Sequence, residues 1–283
     1  MQRKIIYLMG AGRSGTTLLE IILGNGNGIF NCGELNRYPD YNGVPKLCEE
    51  GDAKCDFWKK IKAALIQKHN LEHQSHFHRQ FEYHKGFFKS LFLGIHSKNY
   101  VAYAAFLKDL YHSIFESIDE NIITDSSKYP LRGLHLSRVL PYEITYIYLK
   151  RDPAAVVRSF AKKDVEQSTK NWVFANVYYF VVNMLCKFIL WKLRKKHRVV
   201  EIKFEDLLEK PEQTLELIQK SIDIDLLVPI QKIKNNEALN VGFLFDGNRI
   251  RLKDTIKLKS GASKQEATSI DRLSRTFNYM LYK

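Results

Sequence analysis

The feature that most constrains this chain lies almost at its start. Ile5-Ile6-Tyr7-Leu8-Met9 is a short apolar run, and Gly10-Ala11-Gly12-Arg13-Ser14-Gly15-Thr16-Thr17 follows it without a break. Such a run reads as a strand buried on both faces. Glycines let the chain turn sharply and bring main-chain N–H groups close to an anion. Leu18, Leu19, Ile21 and Ile22 then continue as a helix, whose N-terminus adds partial positive charge at the same spot. Strand, loop and helix together make an anion cradle. The triphosphate-binding loop of this kind reads G-x-x-x-x-G-K-[ST]. Gly10 and Gly15 keep that spacing, but Thr16 stands where the lysine belongs. The nearest cation is Arg13, inside the loop. A nucleoside triphosphatase needs the lysine on the β- and γ-phosphates, so its loss argues against ATP hydrolysis and for a less charged group.

Three more β-rich runs follow: Ile122-Ile123-Thr124, Ile144 to Leu149, and Val199 to Phe204. Each precedes a turn and a helix-compatible segment. The alternation predicts an α/β protein: a P-loop-type three-layer fold with a central parallel sheet flanked by helices. Residues 58–118 carry helical signal only, and predict a helical insertion after the first βα unit. Residues 225–283 predict a segment covering one end of the sheet. No repeat or Pro-rich linker divides the chain, so residues 1–283 are expected to form one domain. The run Ile5–Met9 is too short for a signal-peptide core or a membrane span. With only four cysteines, a cytoplasmic protein is the expectation.

A second motif lies at the end of the third run: Lys150-Arg151-Asp152-Pro153, with Ser159 further along. Asp152 can cap a helix that has Pro153 in its first turn. Arg151 then sits at the carboxyl end of a strand, where open α/β sheets bind ligands. Its guanidinium and the Ser159 hydroxyl could hold a second phosphate. The chain has 44 Lys+Arg against 31 Asp+Glu, a formal charge of +13. Such a chain is expected to meet an anionic partner.

Gly-x-Gly-Arg-Ser-Gly-Thr-Thr-Leu-Leu after one strand, and Leu-Lys-Arg-Asp-Pro followed by Ser159 after another, resemble the paired cofactor signatures of the sulfotransferases. These use 3′-phosphoadenosine 5′-phosphosulfate. The resemblance implies that Gly12, Arg13, Ser14, Gly15, Thr16 and Thr17 cradle the 5′-phosphosulfate, while Arg151 and Ser159 bind the 3′-phosphate. Cys32-Gly33-Glu34-Leu35 resembles the bacterial carbohydrate-type and tyrosylprotein-like branch. So do the Cys48 and Cys55 stretch and Asp125-Ser126-Ser127-Lys128. Phe204-Glu205-Asp206-Leu207 is similar to a strand end that usually begins with Tyr. Gly247, Asn248 and Arg251 resemble the C-terminal cofactor loop. With no γ-phosphate to hold, no metal is implied.

Sulfuryl transfer needs a base for the acceptor hydroxyl, a cation for the leaving phosphate, and donors for the equatorial oxygens. The resemblance places Glu34 beside the acceptor, as the base; Arg13 in the loop is the candidate cation, and Lys128, at a strand's carboxyl end, is expected to assist. The acceptor is a carbohydrate hydroxyl by analogy with the branch. Protein tyrosine, lipid and small-metabolite hydroxyls stay open. A different reading makes Ile122–Asp125 a Walker B strand in an ATP-Mg kinase or nucleotidase. No nucleic-acid-binding signature is present.

Other groupings are ambiguous. His69, His73, His76, His78 and His84 cluster, but no HExxH accompanies them and a solvated helix face is expected. Cys48 and Cys55 lack zinc-knuckle spacing and could be bridged or reduced. Residues 173–191 form the most apolar stretch, read as a buried helix along the acceptor cleft. The basic run Lys192–Arg198 follows it and offers peripheral contact with anionic lipid.

Overall fold

Ile5 to Met9 are all fully buried, which requires cover on both faces of the strand that carries them. The computed structural model describes residues 2–49, 51–83, 97–162, 169–258 and 267–283. Its main sheet is five-stranded and parallel, in the order β2-β3-β1-β4-β5. The strands are β1 (Lys4–Met9), β2 (Ile29–Asn31), β3 (Ile122–Lys128), β4 (Glu143–Lys150) and β5 (Val199–Lys203). A small antiparallel pair, β6 (Leu239–Asn240) and β7 (Thr255–Ile256), stands apart.

The helices, in chain order, begin with α1 (Thr16–Leu23) between β1 and β2. Then come α2 (Ala53–Leu65), α3 (Leu71–Glu82) and α4 (Lys98–Phe115) before β3. Next are α5 (Pro130–Val139), α6 (Pro153–Ala161) and α7 (Trp172–Leu193). After β5 follow α8 (Phe204–Glu209), α9 (Pro211–Ile222) and α10 (Leu227–Lys234). The chain ends with α11 (Ser269–Phe277) and α12 (Tyr279–Tyr282).

Side-chain alternation along β1 splits the interior into two cores. Ile5, Tyr7 and Met9 face the core built by the insertion helices with α5 and α7. Ile6 and Leu8 face the core of α1, α8 and α9. Each fully buried Leu or Ile contributes about 1.5–3 kcal/mol. Two sequence expectations change. A strand was not expected at Ile29–Asn31; the helical insertion therefore follows β2, not the first βα unit directly, and starts at Ala53. Phe204 opens α8 instead of ending β5.

The register brings three carboxyl ends together. Met9 of β1 stands opposite Lys128 of β3 and Tyr148 of β4. The glycine loop, Lys128 and Arg151 thus leave the sheet side by side. The insertion supports this edge from beyond. Trp58 is fully buried and its Nε1–H donates to the Phe243 carbonyl at 2.8 Å, fixing the loop that leads to Gly247. Cys48 and Cys55 form a disulfide at the start of α2.

Candidate active site

The glycine loop closes a strained cradle. Gly15 has φ 96°, and a Cβ there would lie 2.2 Å from the Phe204 ring, so any side chain would collide with that ring. Arg13 itself adopts φ 68°, a left-handed conformation that costs a non-glycine residue about 1–2 kcal/mol. Such strain concentrates at functional sites. The loop is held from outside by Tyr178 of α7, whose hydroxyl accepts the Gly12 N–H at 3.0 Å. Burial pushes that hydroxyl up to about 12.

Above the loop lies a cavity of about 220 Å³. Gly12, Arg13, Gly15, Thr16 and Thr17 form its floor. Arg151, Ser159, Gly247 and Asn248 also line it. Glu34 and Lys128 stand at its edge. Arg151 donates from Nη1 to the main-chain oxygen of Arg13 at 2.8 Å. Its guanidinium lies 4.5 Å from the centre of the Phe204 ring. Burial pulls this guanidinium below its ordinary value, although Glu205 and Asp152 oppose the shift. Its Nε is buried without a hydrogen-bond partner.

The Gly33-Glu34 turn is clamped from two sides. The buried Glu20 carboxylate accepts the Gly33 N–H and the Thr124 hydroxyl, both at 2.8 Å. On the other side the Glu34 N–H donates to the Asp246 carbonyl at 3.1 Å. Gly33 has φ 78°, and a Cβ there would lie 2.6 Å from that same oxygen. The Glu34 carboxylate meets the Lys128 ammonium in an ion pair. Lys128 also has a left-handed backbone, with φ 72°. Asn248 donates its N–H to the Thr17 hydroxyl at 3.1 Å, joining the C-terminal loop to the cradle.

Two residues expected at the ligand, Ser14 and Arg251, do not line this cavity. Ser14 is buried, with its hydroxyl on the Ala11 carbonyl at 2.7 Å, and its side chain braces the loop from within. Arg251 is buried too; it donates to the Gly247 carbonyl at 2.8 Å and pairs with Asp246 at 3.2 Å. It lines a neighbouring cavity instead. Leu18 and Ile250 complete the cavity wall without having been expected there. Glu20, Tyr178 and Phe204 shape the site from behind. Of these, Glu20 left a signal: it is the one charged residue in the apolar helix TTLLEIIL.

Asp125, the Walker B candidate, does not line the cavity. It is buried and held by Tyr111, Ser127 and Arg132, the last at 3.2 Å. The histidines are scattered into separate pairs: His69 with Asp109 at 2.7 Å, and buried His78 with Glu82 at 2.8 Å. His84 lies outside the described residues. Among the described residues no group of three or more His, Cys, Asp or Glu could hold a metal ion.

The family model of the sulfotransferase family matches residues 6–227. No curated protein is similar enough in sequence to count as a match. Two solved structures are similar over almost their whole length. The sulfotransferase domain from the curacin biosynthetic pathway has a TM-score of 0.54 at 19% identity, covering 99% of this chain and 98% of its own. The sulfotransferase domain from the Synechococcus PCC 7002 olefin synthase has a TM-score of 0.54 at 18% identity, covering 98% and 95%. At these identities the likeness speaks for the fold. With the family match over most of its length, this chain belongs to the sulfotransferase family, and it is a sulfotransferase enzyme.

Proposed function

We propose that the chain transfers the sulfuryl group of 3′-phosphoadenosine 5′-phosphosulfate to an acceptor hydroxyl of a carbohydrate. The observation that carries this reading is the meeting of Arg13 and Arg151 at one cavity, joined by the 2.8 Å bond between them. Two arginines on one cavity suit a ligand with two anionic groups. The cavity fits the anionic ends of such a nucleotide; complete small-molecule sites usually need about 300–1,000 Å³. The buried, unpartnered Nε of Arg151 and the downward pull on its guanidinium also suit an anion supplied by the ligand.

In this reading Thr16, Thr17 and the loop N–H groups hold the 5′-phosphosulfate at the start of α1. Arg151 and Ser159 hold the 3′-phosphate. Glu34 takes the proton of the acceptor hydroxyl as the new oxygen–sulfur bond forms. The bond between sulfur and the 5′-phosphate oxygen breaks, and Arg13 stabilises the charge that develops there. Lys128 orients Glu34 through their ion pair. Positioning and electrostatics supply the rate, as in phosphoryl transfer.

Calorimetry with 3′-phosphoadenosine 5′-phosphate, AMP and ATP tests the donor. The doubly phosphorylated nucleotide should bind at least about tenfold more tightly than AMP, since each charge-assisted hydrogen bond contributes roughly 1.5–3 kcal/mol. Magnesium should not alter it. Tighter, magnesium-dependent ATP binding would overturn the reading in favour of a kinase. Transfer of labelled sulfate into glycan fractions tests the acceptor, and label appearing only in protein, lipid or small metabolites would replace the carbohydrate.

A further inference from the structure

α11 is packed the opposite way to an ordinary surface helix. Its polar residues Asp271 and Ser274 are buried, while Ile270, Leu273 and Phe277 are each more than half exposed. Specific bonds hold this inversion. Asp271 pairs with Arg158 at 2.6 Å. The Ser274 hydroxyl accepts from Trp172 at 2.9 Å and from Asn176 at 3.2 Å. Asn278 donates to Asn176 at 3.0 Å. An amphipathic helix normally turns its apolar stripe to the core. Here the core side is satisfied by polar contacts, and the apolar stripe faces outward.

α7 adds a second stripe beside it. Val173, Val177, Met184 and Trp191 recur on one side of the helix, and all are exposed. Phe180 of α7 and Phe277 of α11 meet with ring centres 5.5 Å apart, so the two stripes form one surface. By length and composition α7 could cross a bilayer, but half of its apolar window is buried within the protein. Tyr179, Cys186 and Ile189 face the core. Only the outer side is available to lipid, which is the geometry of a helix lying in a membrane interface.

The rim of this surface is cationic. The ammonium groups of Lys192, Lys195 and Lys283 lie over the rings of Phe188, Trp191 and Tyr279, at 5.0, 5.3 and 5.8 Å from the centroids. These rings are themselves partly or largely exposed, so the charges they carry lie at the outer edge of the apolar surface. Nearby carboxylates are engaged within the protein: Glu201 with Lys150 and Arg194, and Asp152 with Arg275. A second copy of the chain on this face would set like charges against each other. Anionic lipid head groups over an apolar layer match both the stripe and its rim.

From this we infer that the α7–α11 face docks on the surface of an anionic lipid bilayer. The apolar side chains enter below the head groups and the lysines stay among them. α7 also carries Tyr178, which holds Gly12, and Tyr179, which donates to the Arg151 carbonyl at 2.8 Å. Docking therefore sets the nucleotide cavity at a fixed distance from the lipid.

The test is sedimentation of the full chain with vesicles of mixed phosphatidylglycerol and phosphatidylcholine, against pure phosphatidylcholine. The mixed vesicles should retain at least about tenfold more protein. L273S/F277S and M184S/W191S should each reduce retention about tenfold, and K192E/K195E should remove the preference for anionic vesicles. These substitutions leave the buried polar side of α11 intact. On the unmodified protein, brominated lipid in the mixed vesicles should quench the exposed Trp191. Absence of both retention and quenching would overturn the inference. So would retention unaffected by the apolar substitutions, or a dimer in solution that L273S/F277S converts to monomer.

Discussion

Arg151 donates to the main-chain oxygen of Arg13 across 138 residues of sequence, at 2.8 Å. One guanidinium therefore fastens the glycine loop and still faces the cavity. A lysine could supply charge but not this fork of donors. R151A should weaken binding of 3′-phosphoadenosine 5′-phosphate by about 10- to 100-fold, and AMP by only a few-fold, given roughly 1.5–3 kcal/mol for a charged hydrogen bond. R151K should recover only part of the loss. Calorimetry on the three proteins reads this directly, and an equal loss for both nucleotides would place Arg151 in loop support alone.

Glu34 and Lys128 form an ion pair at the cavity edge. E34Q keeps the shape and removes the base, so turnover should fall by about 10²–10⁴-fold. Affinity for 3′-phosphoadenosine 5′-phosphate should stay nearly unchanged. Lys128 also bears the cost of its left-handed backbone, φ 72°. K128G should be more stable than K128A by about 1 kcal/mol, because glycine adopts that conformation freely. Both should turn over slowly. Thermal melts with initial rates separate the backbone effect from the lost ammonium.

Much of this site could be read from local pattern. The β1 run and its glycines announce the cradle, and Arg151 follows a strand marked by a continuous run of β-branched and aromatic residues. Cavity lining by Glu34, Gly247 and Asn248 was reached only through resemblance, since nothing local marks them. Three residues, Ile29–Asn31, are too few to show a strand period, so β2 escaped. The bonds that Ser14 and Arg251 make to main-chain carbonyls, at 2.7 and 2.8 Å, have no local sequence signal. Tyr178 is one aromatic among many in α7, and its bond to Gly12 depends on how α7 crosses the loop. Left-handed backbone at Arg13 and Lys128 has no residue-type signature at all.

The Cys48–Cys55 bridge spans a sequence separation of 7 residues beside α2. A loop this short should contribute about 2–3 kcal/mol by restricting the unfolded chain. C48S/C55S should therefore lower the melting temperature of this 283-residue chain by roughly 3–5 °C. The nucleotide cavity does not touch either cysteine, so affinity for 3′-phosphoadenosine 5′-phosphate should hold. Melting curves with and without reductant give the same comparison on the native chain. An unchanged midpoint would mean that the two thiols are reduced in solution.

Three buried groups set an unusual pH profile. Burial raises Glu20 to about 7 despite the hydrogen bonds it accepts from Thr124 and Gly33. Between pH ~4.5 and ~7 the folded state then holds a proton that the unfolded state has lost, so this group reduces stability as pH rises. Burial lowers His135 to about 4. Between pH ~4 and ~6.5 the unfolded state binds the extra proton, so this group adds stability as pH rises. Burial opposes ionisation of Glu82, but Arg132 and His78 outweigh it and hold the carboxyl at about 2. That contribution is complete above pH ~4.5 and lost as pH falls toward 2. Glu20 and His135 nearly cancel from pH ~4.5 to ~6.5, and the native chain should show a plateau there. E20Q keeps an acceptor for Gly33 and Thr124 but cannot titrate. Its stability should climb by about 2–3 kcal/mol across the same window, at 1.36 kcal/mol per unit. Urea denaturation at half-unit pH steps tests this, and parallel profiles for the two proteins would show that Glu20 titrates alike in the folded and unfolded chain.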